Sequence, residues 1–463
     1  MIFTEPRFLG FFLVVFAVHW LLRSHALRKH WLLAASYAFY AAWDWRFLFL
    51  IFASTVVDWV AALQVVRARR VGGGARRWLI LSLVANLGVL GFFKYFNFFA
   101  YSAWMFFGWL GLPVSKVTLD IVLPVGISFF TFQTMSYSID VYRGKLEPTR
   151  RFSDFALYVA FFPQLVAGPI VRAVDFLPQL VTPRRIRDVD FRAAYGQFLV
   201  GFIKKACIAD GVAATVDQMF AAPWAYEPTS VTIAVLLYAV QIYCDFSGYS
   251  DMAIATARML GFELRRNFDA PYFARNITDF WRRWHISLSG WLRDYLYIPL
   301  GGNRGSRGFT YRNLMLTMLL GGLWHGAGWN FVIWGGIHGA ALVLHREWVR
   351  LTRGRRLVPA FVAWASTLSV VLLAWVFFRA RSLRDSMFIL DVIFTHRTGG
   401  RTEVSMWQPF PDAGLWTSFA WVVGPLVVVH WLASRGVHRW IGERVPGLVV
   451  TACYAVVTVL ALT

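Results

Sequence analysis

Gly321-Gly322-Leu323-Trp324-His325-Gly326-Ala327-Gly328-Trp329 sits inside an apolar segment running from about Leu314 to Leu344. Seven of the nineteen residues from Gly321 to Gly339 are glycine. Inside a helix each glycine costs about 1 kcal/mol relative to alanine, so an uninterrupted spanning helix is a poor reading of this stretch. The pattern predicts a helix broken or thinned at mid-membrane depth, with an imidazole at the break. Irregular backbone at that depth persists only where protein buries it or where it lines a wet cavity. A titratable group placed there is by default a candidate for function, and His325 is the first such candidate.

The rest of the chain has the composition of a membrane protein. Of its 463 residues 58% are hydrophobic, and 15% are charged, against roughly 25% in ordinary soluble domains. Apolar runs near the roughly 20 residues needed to cross a bilayer recur throughout. The formal net charge of +21 would suggest nucleic acid in a soluble protein. Here the arginines fall in short loops between apolar runs, the pattern of cytoplasmic loops, so no nucleic-acid partner is expected and anionic lipid headgroups are. The three cysteines, Cys207, Cys244 and Cys453, share no CxxC spacing, which argues against a disulfide framework or a zinc site.

The distribution of charge sets an expected topology. Apolar runs at Phe8–Leu22, Trp31–Trp43 and Trp45–Val66 are flanked by Arg23, Arg28 and Lys29 and by Arg67, Arg69, Arg70, Arg76 and Arg77. Trp43-Asp44-Trp45-Arg46 has the aromatic signature of a membrane interface. Both basic flanks are expected inside, which puts the N-terminus outside. Trp78–Leu110 carries Lys94, read as snorkelling to an interface in preference to facing a cavity. Ile121–Tyr142 crosses back with Ser128, Thr131, Gln133, Thr134, Ser136 and Ser138, a density of polar groups expected to face other helices. Pro163, Gly168 and Pro169 break the next segment, which is expected to dip in and return. After Tyr195–Val216, the run Val231–Cys244 is expected to end where Asp245 and Asp251 begin, two carboxylates that need partners or water. Arg258 to Arg312 holds ten arginines against four acids and reads as an amphipathic inner-face region, with Thr278 capping a helix over Asp279–Leu296. Arg346, Arg350, Arg353, Arg355 and Arg356 follow the glycine-rich segment. A single crossing would place them outside, so the segment is expected to enter, bend and return. Runs at Phe361–Phe378, Met387–Phe394, Trp416–Leu432 and Leu448–Leu462 complete the chain.

Two histidines carry the chemistry. A neutral imidazole is the natural general base near neutral pH, and His325 in a dry pocket could take the proton of a hydroxyl attacking a carbonyl. It could equally be a buried ring bonded to a carbonyl that the glycines free. His285, on the arginine-rich stretch, could hold a substrate carbonyl or a second proton, or simply pack at headgroup level. Arg282, Arg283 and Arg293 suit phosphate, although lipid or Asp279 and Asp294 would serve them as well. His19, His338 and His345 read as packing residues. No metal set is apparent, and nothing marks a serine nucleophile, ATP or NAD.

Together Pro124–Gln133, Ala167–Ile170, Asp245–Ala253, Phe280–Ser289, Trp291–Gly302 and Gly321–Gly326 resemble the membrane-bound O-acyltransferases, and more closely the bacterial branch that acetylates alginate and other exported polysaccharides. The resemblance covers roughly residues 1–395. It implies an all-α polytopic membrane protein of about 10–13 transmembrane or re-entrant helices, ringing a thin central layer with a cytoplasmic funnel. It implies one membrane domain over 1–463: N-terminal helices over 1–110, a catalytic core over 121–345 and C-terminal helices over 358–463. His325 then matches the catalytic histidine and His285 the second histidine. Arg282, Arg283, Arg293, Trp324 and Asn330 are the expected donor-binding residues, with Asp245, Asp251 and Ser287 in support. Acetyl-CoA or another acyl thioester, as from an acyl carrier protein, is the implied co-substrate, with no permanently bound cofactor. A periplasmic acetyltransferase of the SGNH type and a polysaccharide acceptor are the implied partners, in a bacterial inner membrane. The related branch that D-alanylates teichoic acid, and a transporter built on the same broken helices, are the alternatives.

Overall fold

The computed structural model describes residues 2–166, 168–355, 357–401 and 415–434. Among them there is no strand: the chain is a set of packed helices, as in a polytopic membrane protein. The N-terminal group is α1 (Pro6–Leu21), α2 (His25–Asp44), α3 (Leu48–Arg70), α4 (Ala75–Leu90) and α5 (Phe96–Trp109). Asp44, in an extended conformation at φ −158°, separates α2 from α3 and accepts from the Arg46 amide at 3.0 Å. The stretch from Ala75 to Trp109 is continuously helical but passes through a π-helical turn at Gly91–Tyr95. Among the described residues, four helical stretches are long and apolar enough to cross a membrane: His25–Arg70, Ala75–Trp109, Pro228–Met259 and Ala360–Arg379.

α6 (Ile127–Tyr142) starts six residues later than the apolar run predicts, because Gly126 takes a left-handed φ of 75° ahead of it. A Cβ at Gly126 would lie 2.6 Å from the Leu165 carbonyl oxygen, so only glycine fits. The polar face of α6 turns toward other helices, as expected. Thr134 donates to Asn86 Oδ1 (2.9 Å), Asn86 Nδ2 donates to both oxygens of the buried Asp58, and Ser138 joins the same carboxylate. This knot fastens α3, α4 and α6 where no water can satisfy their polar groups.

α7 (Phe152–Ala160) and α8 (Phe162–Leu165) break at Phe161, just before Pro163, and α9 (Ala173–Phe176) follows an extended stretch. α10 (Phe191–Phe202) runs through a π-helical stretch, Ile203–Ala209, into α11 (Asp210–Ala221). α12 (Pro228–Met259) is longer than expected. Asp245 and Asp251 lie within it rather than past its end. The helix continues because both carboxylates find lysines on the neighbouring π-helical stretch: Lys205 reaches Asp245 at 2.7 Å and Lys204 reaches Asp251 at 2.8 Å. Gly201 and Gly248 bring the backbones close enough for this, since a Cβ on Gly201 would meet the Gly248 oxygen at 2.6 Å. Asp251→Ala should strand a partly buried ammonium and cost on the order of 1–3 kcal/mol after allowance for exposure. A double-mutant cycle with Lys204→Met, read by thermal unfolding in detergent, should show strong non-additivity; additive losses would mean the pair is not coupled.

The expected amphipathic helix over Asp279–Leu296 is two helices. α13 (Ile277–Arg283) is capped by Asn276, whose side chain accepts from Asp279 N at 2.7 Å, so Thr278 is not the cap. The chain then turns at His285, in the left-handed region at φ 43°, before α14 (Ile286–Leu292) and a π-helical turn at Arg293–Tyr297. The glycine-rich segment forms a hairpin of α15 (Arg307–His325) and α16 (Trp329–Leu351), bent at Gly326–Gly328. α15 itself is unbroken through Gly321 and Gly322; Gly322 serves contact between the arms, while Gly321 faces Leu292 of α14. The 19 residues of α15 reach about 28 Å at about 1.5 Å per residue, further than the mid-depth excursion that the charge pattern predicts. α17 (Ala360–Arg379), α18 (Leu383–Thr395) and α19 (Leu415–Ser434) close the described chain. The expected run Leu448–Leu462 lies outside the described residues.

One face gathers the arginine-rich turns. Trp20 donates to the Met259 carbonyl, Arg28 to that of Arg184, Arg69 to that of Val141 and Arg143 to that of Asp294. Arg172 bridges to Asp294 at 2.7 Å, and Arg265 to Asp175 at 2.6 Å. The start of α15 and the end of α16 meet on this face too, where Arg307, Arg346 and Arg350 share one hollow with Arg293. The hairpin thus returns to the side it left, as the positive flanks require.

Candidate active site

Three breaks in helical structure converge on one cavity of about 280 Å³. Its lining includes Lys94, Ser128, Asp245, Trp284, His285, Trp324, His325 and Phe378. His325 is the last residue of α15 and His285 the turn between α13 and α14; their rings are 6.4 Å apart.

His285 is fully buried and held by a residue that the sequence does not flag, Asn267. The Ser287 backbone N–H donates to Asn267 Oδ1 (3.2 Å), which identifies that atom as the oxygen. His285 Nδ1, 3.2 Å from the same oxygen, must therefore be the protonated nitrogen of the neutral ring. Nε2 then carries the lone pair, and it has no partner among the described residues. Ser287 Oγ donates to Asn267 Oδ1 at 2.9 Å and accepts from Ile170 N at 3.0 Å, so Ser287 supports the ring's support. The Asn267 carbonyl takes the Ile286 N–H at 2.9 Å. These bonds hold His285 in a backbone region that costs a non-glycine residue free energy.

His325 has a different surrounding. Neither ring nitrogen makes a hydrogen bond among the described residues, which leaves without support the reading of a ring tied to a freed carbonyl. Its walls are aromatic: Trp324 at 4.9 Å, Trp334 at 5.1 Å and Phe378 at 5.2 Å between ring centroids, all edge-on. His338 packs on the far side of Trp334, against Phe280 and Trp281, and is not part of the cavity wall.

Lys94 does not snorkel. Its ammonium donates to Ser128 Oγ at 3.0 Å and to the Trp324 carbonyl, inside the cavity. The next residue, Tyr95, donates to the Leu323 carbonyl at 3.0 Å. The last turn of a helix leaves its carbonyls without internal partners, and the π-helical turn of Gly91–Tyr95 supplies two.

The arginines lie behind His285 on the basic face. Arg282 and Arg293 line a hollow of about 510 Å³ together with Arg172, Arg265, Arg266, Ile170 and Ser287. It adjoins the hollow at the hairpin base, with Thr278, Arg293 and Leu342 common to both. Arg283 is engaged with Asp279 at 2.9 Å, and Arg293 with Asp294 at 2.7 Å. Burial alone would raise the Asp294 carboxyl, but bonds from Arg293 and Arg172 hold it below the usual range. Ser287 and Ile286 form the floor of this funnel, and Trp284 and His285 face the cavity on its other side, so the segment Ile277–Leu292 is the thin layer between them. Of the remaining predicted residues, Trp324 and Asp245 line the cavity, Asp251 is engaged with Lys204, and Asn330 donates to the Ala380 carbonyl at 3.0 Å, fastening α16 to the end of α17.

A family model described as MBOAT, membrane-bound O-acyltransferase family, matches residues 77–383, the span that contains every cavity residue named above. A Pseudomonas aeruginosa protein called probable alginate O-acetylase AlgI is 45% identical over 407 residues, 88% of this chain and 77% of that protein. A Helicobacter pylori protein called peptidoglycan O-acetyltransferase is 40% identical over 422 residues, 84% of this chain and 79% of that one. A teichoic acid D-alanyltransferase of Streptococcus thermophilus is 28% identical over 255 residues, covering 51% and 60%. With two histidines on one cavity behind an arginine-lined funnel, and with these matches, the chain belongs to the membrane-bound O-acyltransferase family and is a multi-pass membrane acyltransferase.

Proposed function

We propose that this protein takes an acetyl group from a cytoplasmic thioester, acetyl-CoA in the first instance, and passes it across the membrane for O-acetylation of an exported or cell-surface polysaccharide. The observation that carries this reading is the pair of imidazoles on one cavity, separated from a basic funnel by a layer only one helix segment thick. The funnel suits a donor with phosphates, since guanidinium pairs well with them. His325 acts as general base, or as acyl relay, toward a hydroxyl; His285, its lone pair free at Nε2, orients the donor or takes a second proton. The names of the P. aeruginosa and H. pylori relatives support a polysaccharide acceptor. The protein would lie in the bacterial inner membrane with its N-terminus periplasmic, and would hand its acyl group to a periplasmic SGNH-type partner.

Inverted inner-membrane vesicles containing the protein, given acetyl-labelled acetyl-CoA, test this. Free CoA should appear in proportion to the protein, with label in O-ester linkage. Label reaching the lumen with CoA intact would make the protein a transporter, and no protein-dependent CoA release would exclude acetyl-CoA as donor.

A further inference from the structure

We propose that the Lys94 ammonium is the oxyanion donor of the cavity: it holds the acyl carbonyl oxygen while that oxygen carries the charge of the tetrahedral adduct. The proposal rests on the acyl-transfer reading above.

Four observations place it there. Lys94 lines the same cavity as His285 and His325. An ammonium has three N–H bonds; Ser128 Oγ and the Trp324 carbonyl take two, and the third has no partner among the described residues. Among the described residues Lys94 has no carboxylate partner either, whereas Lys29, Lys204 and Lys205 are each paired with aspartate. The one carboxylate on the cavity wall among the described residues, Asp245, is bonded to Lys205. The side chain is also fixed: its ammonium lies 5.6 Å from the Trp324 ring centroid, and Tyr95 fastens the same turn to Leu323. A cation without a counter-ion inside a membrane protein is costly, and capping the end of α15 needs only a neutral donor. A full charge on the wall of a cavity lined mostly by aromatic rings is the arrangement that stabilises charge developing during reaction.

The chemistry balances. The acceptor hydroxyl oxygen bonds to the thioester carbonyl carbon, the carbonyl π pair moves to oxygen, and the hydroxyl proton passes to an imidazole nitrogen of His325. Lys94 donates a hydrogen bond to the new oxyanion and keeps its proton throughout. When the pair returns, the C–S bond breaks and the thiolate takes the proton from the imidazolium. An ester and a free thiol result.

The test compares Lys94→Arg, Lys94→Gln and Lys94→Met in the full-length protein in lipid nanodiscs, reading kcat, KM and thermal melting. Lys94→Met should lower kcat about 10²- to 10³-fold with KM nearly unchanged. Lys94→Arg should recover much of the rate. Lys94→Gln keeps a neutral donor for the Trp324 carbonyl, so it should melt like the wild type yet stay slow. A folded Lys94→Gln with wild-type kcat would overturn the proposal, and a loss of kcat in Trp324→Phe instead would assign the donor to that indole, whose Nε1 is also unpartnered. If no Lys94 variant folds, a phosphonate mimic of the adduct bound to the wild-type protein decides by cryo-electron microscopy: its anionic oxygen should sit within hydrogen-bond reach of Lys94 Nζ, and a position out of reach overturns the assignment. A wild-type protein that turns over no acyl thioester would instead remove the acyl-transfer reading itself, and a fully active His325→Ala would remove only the role of His325 as base.

Discussion

His325→Ala is expected to lower the acyl-transfer rate about 10³- to 10⁴-fold, the upper range for loss of a general base, while the protein remains in the membrane at wild-type abundance. The expectation follows from what His325 does not do. It makes no hydrogen bond among the described residues, so its removal strands no buried donor or acceptor. What it does is fill space between Trp324, Trp334 and Phe378, and truncating such a ring costs on the order of 2–4 kcal/mol of packing. His338→Ala separates packing from chemistry. That ring is likewise enclosed by aromatic side chains and likewise lacks polar partners, but it does not line the cavity. The two alanine variants should melt at similar temperatures, and only His325→Ala should lose transfer. Equal activity losses in both would reduce His325 to a packing residue. Asn267→Leu gives an intermediate case: it removes the acceptor that fixes the His285 tautomer, so about a 10- to 100-fold loss is expected, with His285 still in place.

Much of the hairpin was legible because two independent signals agreed. The glycines ruled out a plain span, and the arginines on both flanks demanded a return to the same side. Together they placed His325 at a turn. The breaks that matter around it were less legible. The apolar residues Trp281, Trp284, Leu288 and Trp291 keep helical spacing straight through His285, so periodicity predicts one helix where the chain makes two. What interrupts it is the bonding of Ile286, Ser287 and the His285 ring to Asn267, a residue eighteen positions earlier in a loop with no motif of its own. Lys94 was misread for the same reason. Its partner, the Trp324 carbonyl, is 230 residues away, and local sequence offers only a lysine among aromatics near a helix end, the usual setting for snorkelling. Asp245 and Asp251 were expected to mark the end of a span because bare carboxylates would; pairing with Lys204 and Lys205 on a helix packed against them removes that signal. In each case local preference was read correctly and a distant partner overrode it.

Gly335→Ala should prevent the hairpin from closing, and Gly336→Ala, one residue along, should be tolerated. A Cβ on Gly335 would lie 2.2 Å from the Met318 carbonyl oxygen, and one on Gly322 would lie 2.1 Å from that of Phe331. Both obstructions are backbone of the opposite arm, so relief requires the arms to separate. That separation uncovers the seam between α15 and α16 along its length, and close approach at small residues is a main source of helix association in a membrane. At Gly336 the nearest atom to a new Cβ is Leu319 Cδ2 at 3.6 Å, ordinary contact, and alanine there gains helix propensity worth about 1 kcal/mol. Gly339 falls between: its obstruction is Met315 Sδ at 2.8 Å, the far end of a flexible side chain. The order of thermal stability should therefore be Gly336→Ala at or above wild type, then Gly339→Ala, then Gly335→Ala and Gly322→Ala, the last two failing to accumulate as monodisperse protein in detergent. Any Gly335→Ala protein that does fold should have lost transfer beyond its loss of stability, because His325 ends the arm that must move. A stable and active Gly335→Ala would mean that the glycines serve backbone flexibility at the turn and not contact between the arms.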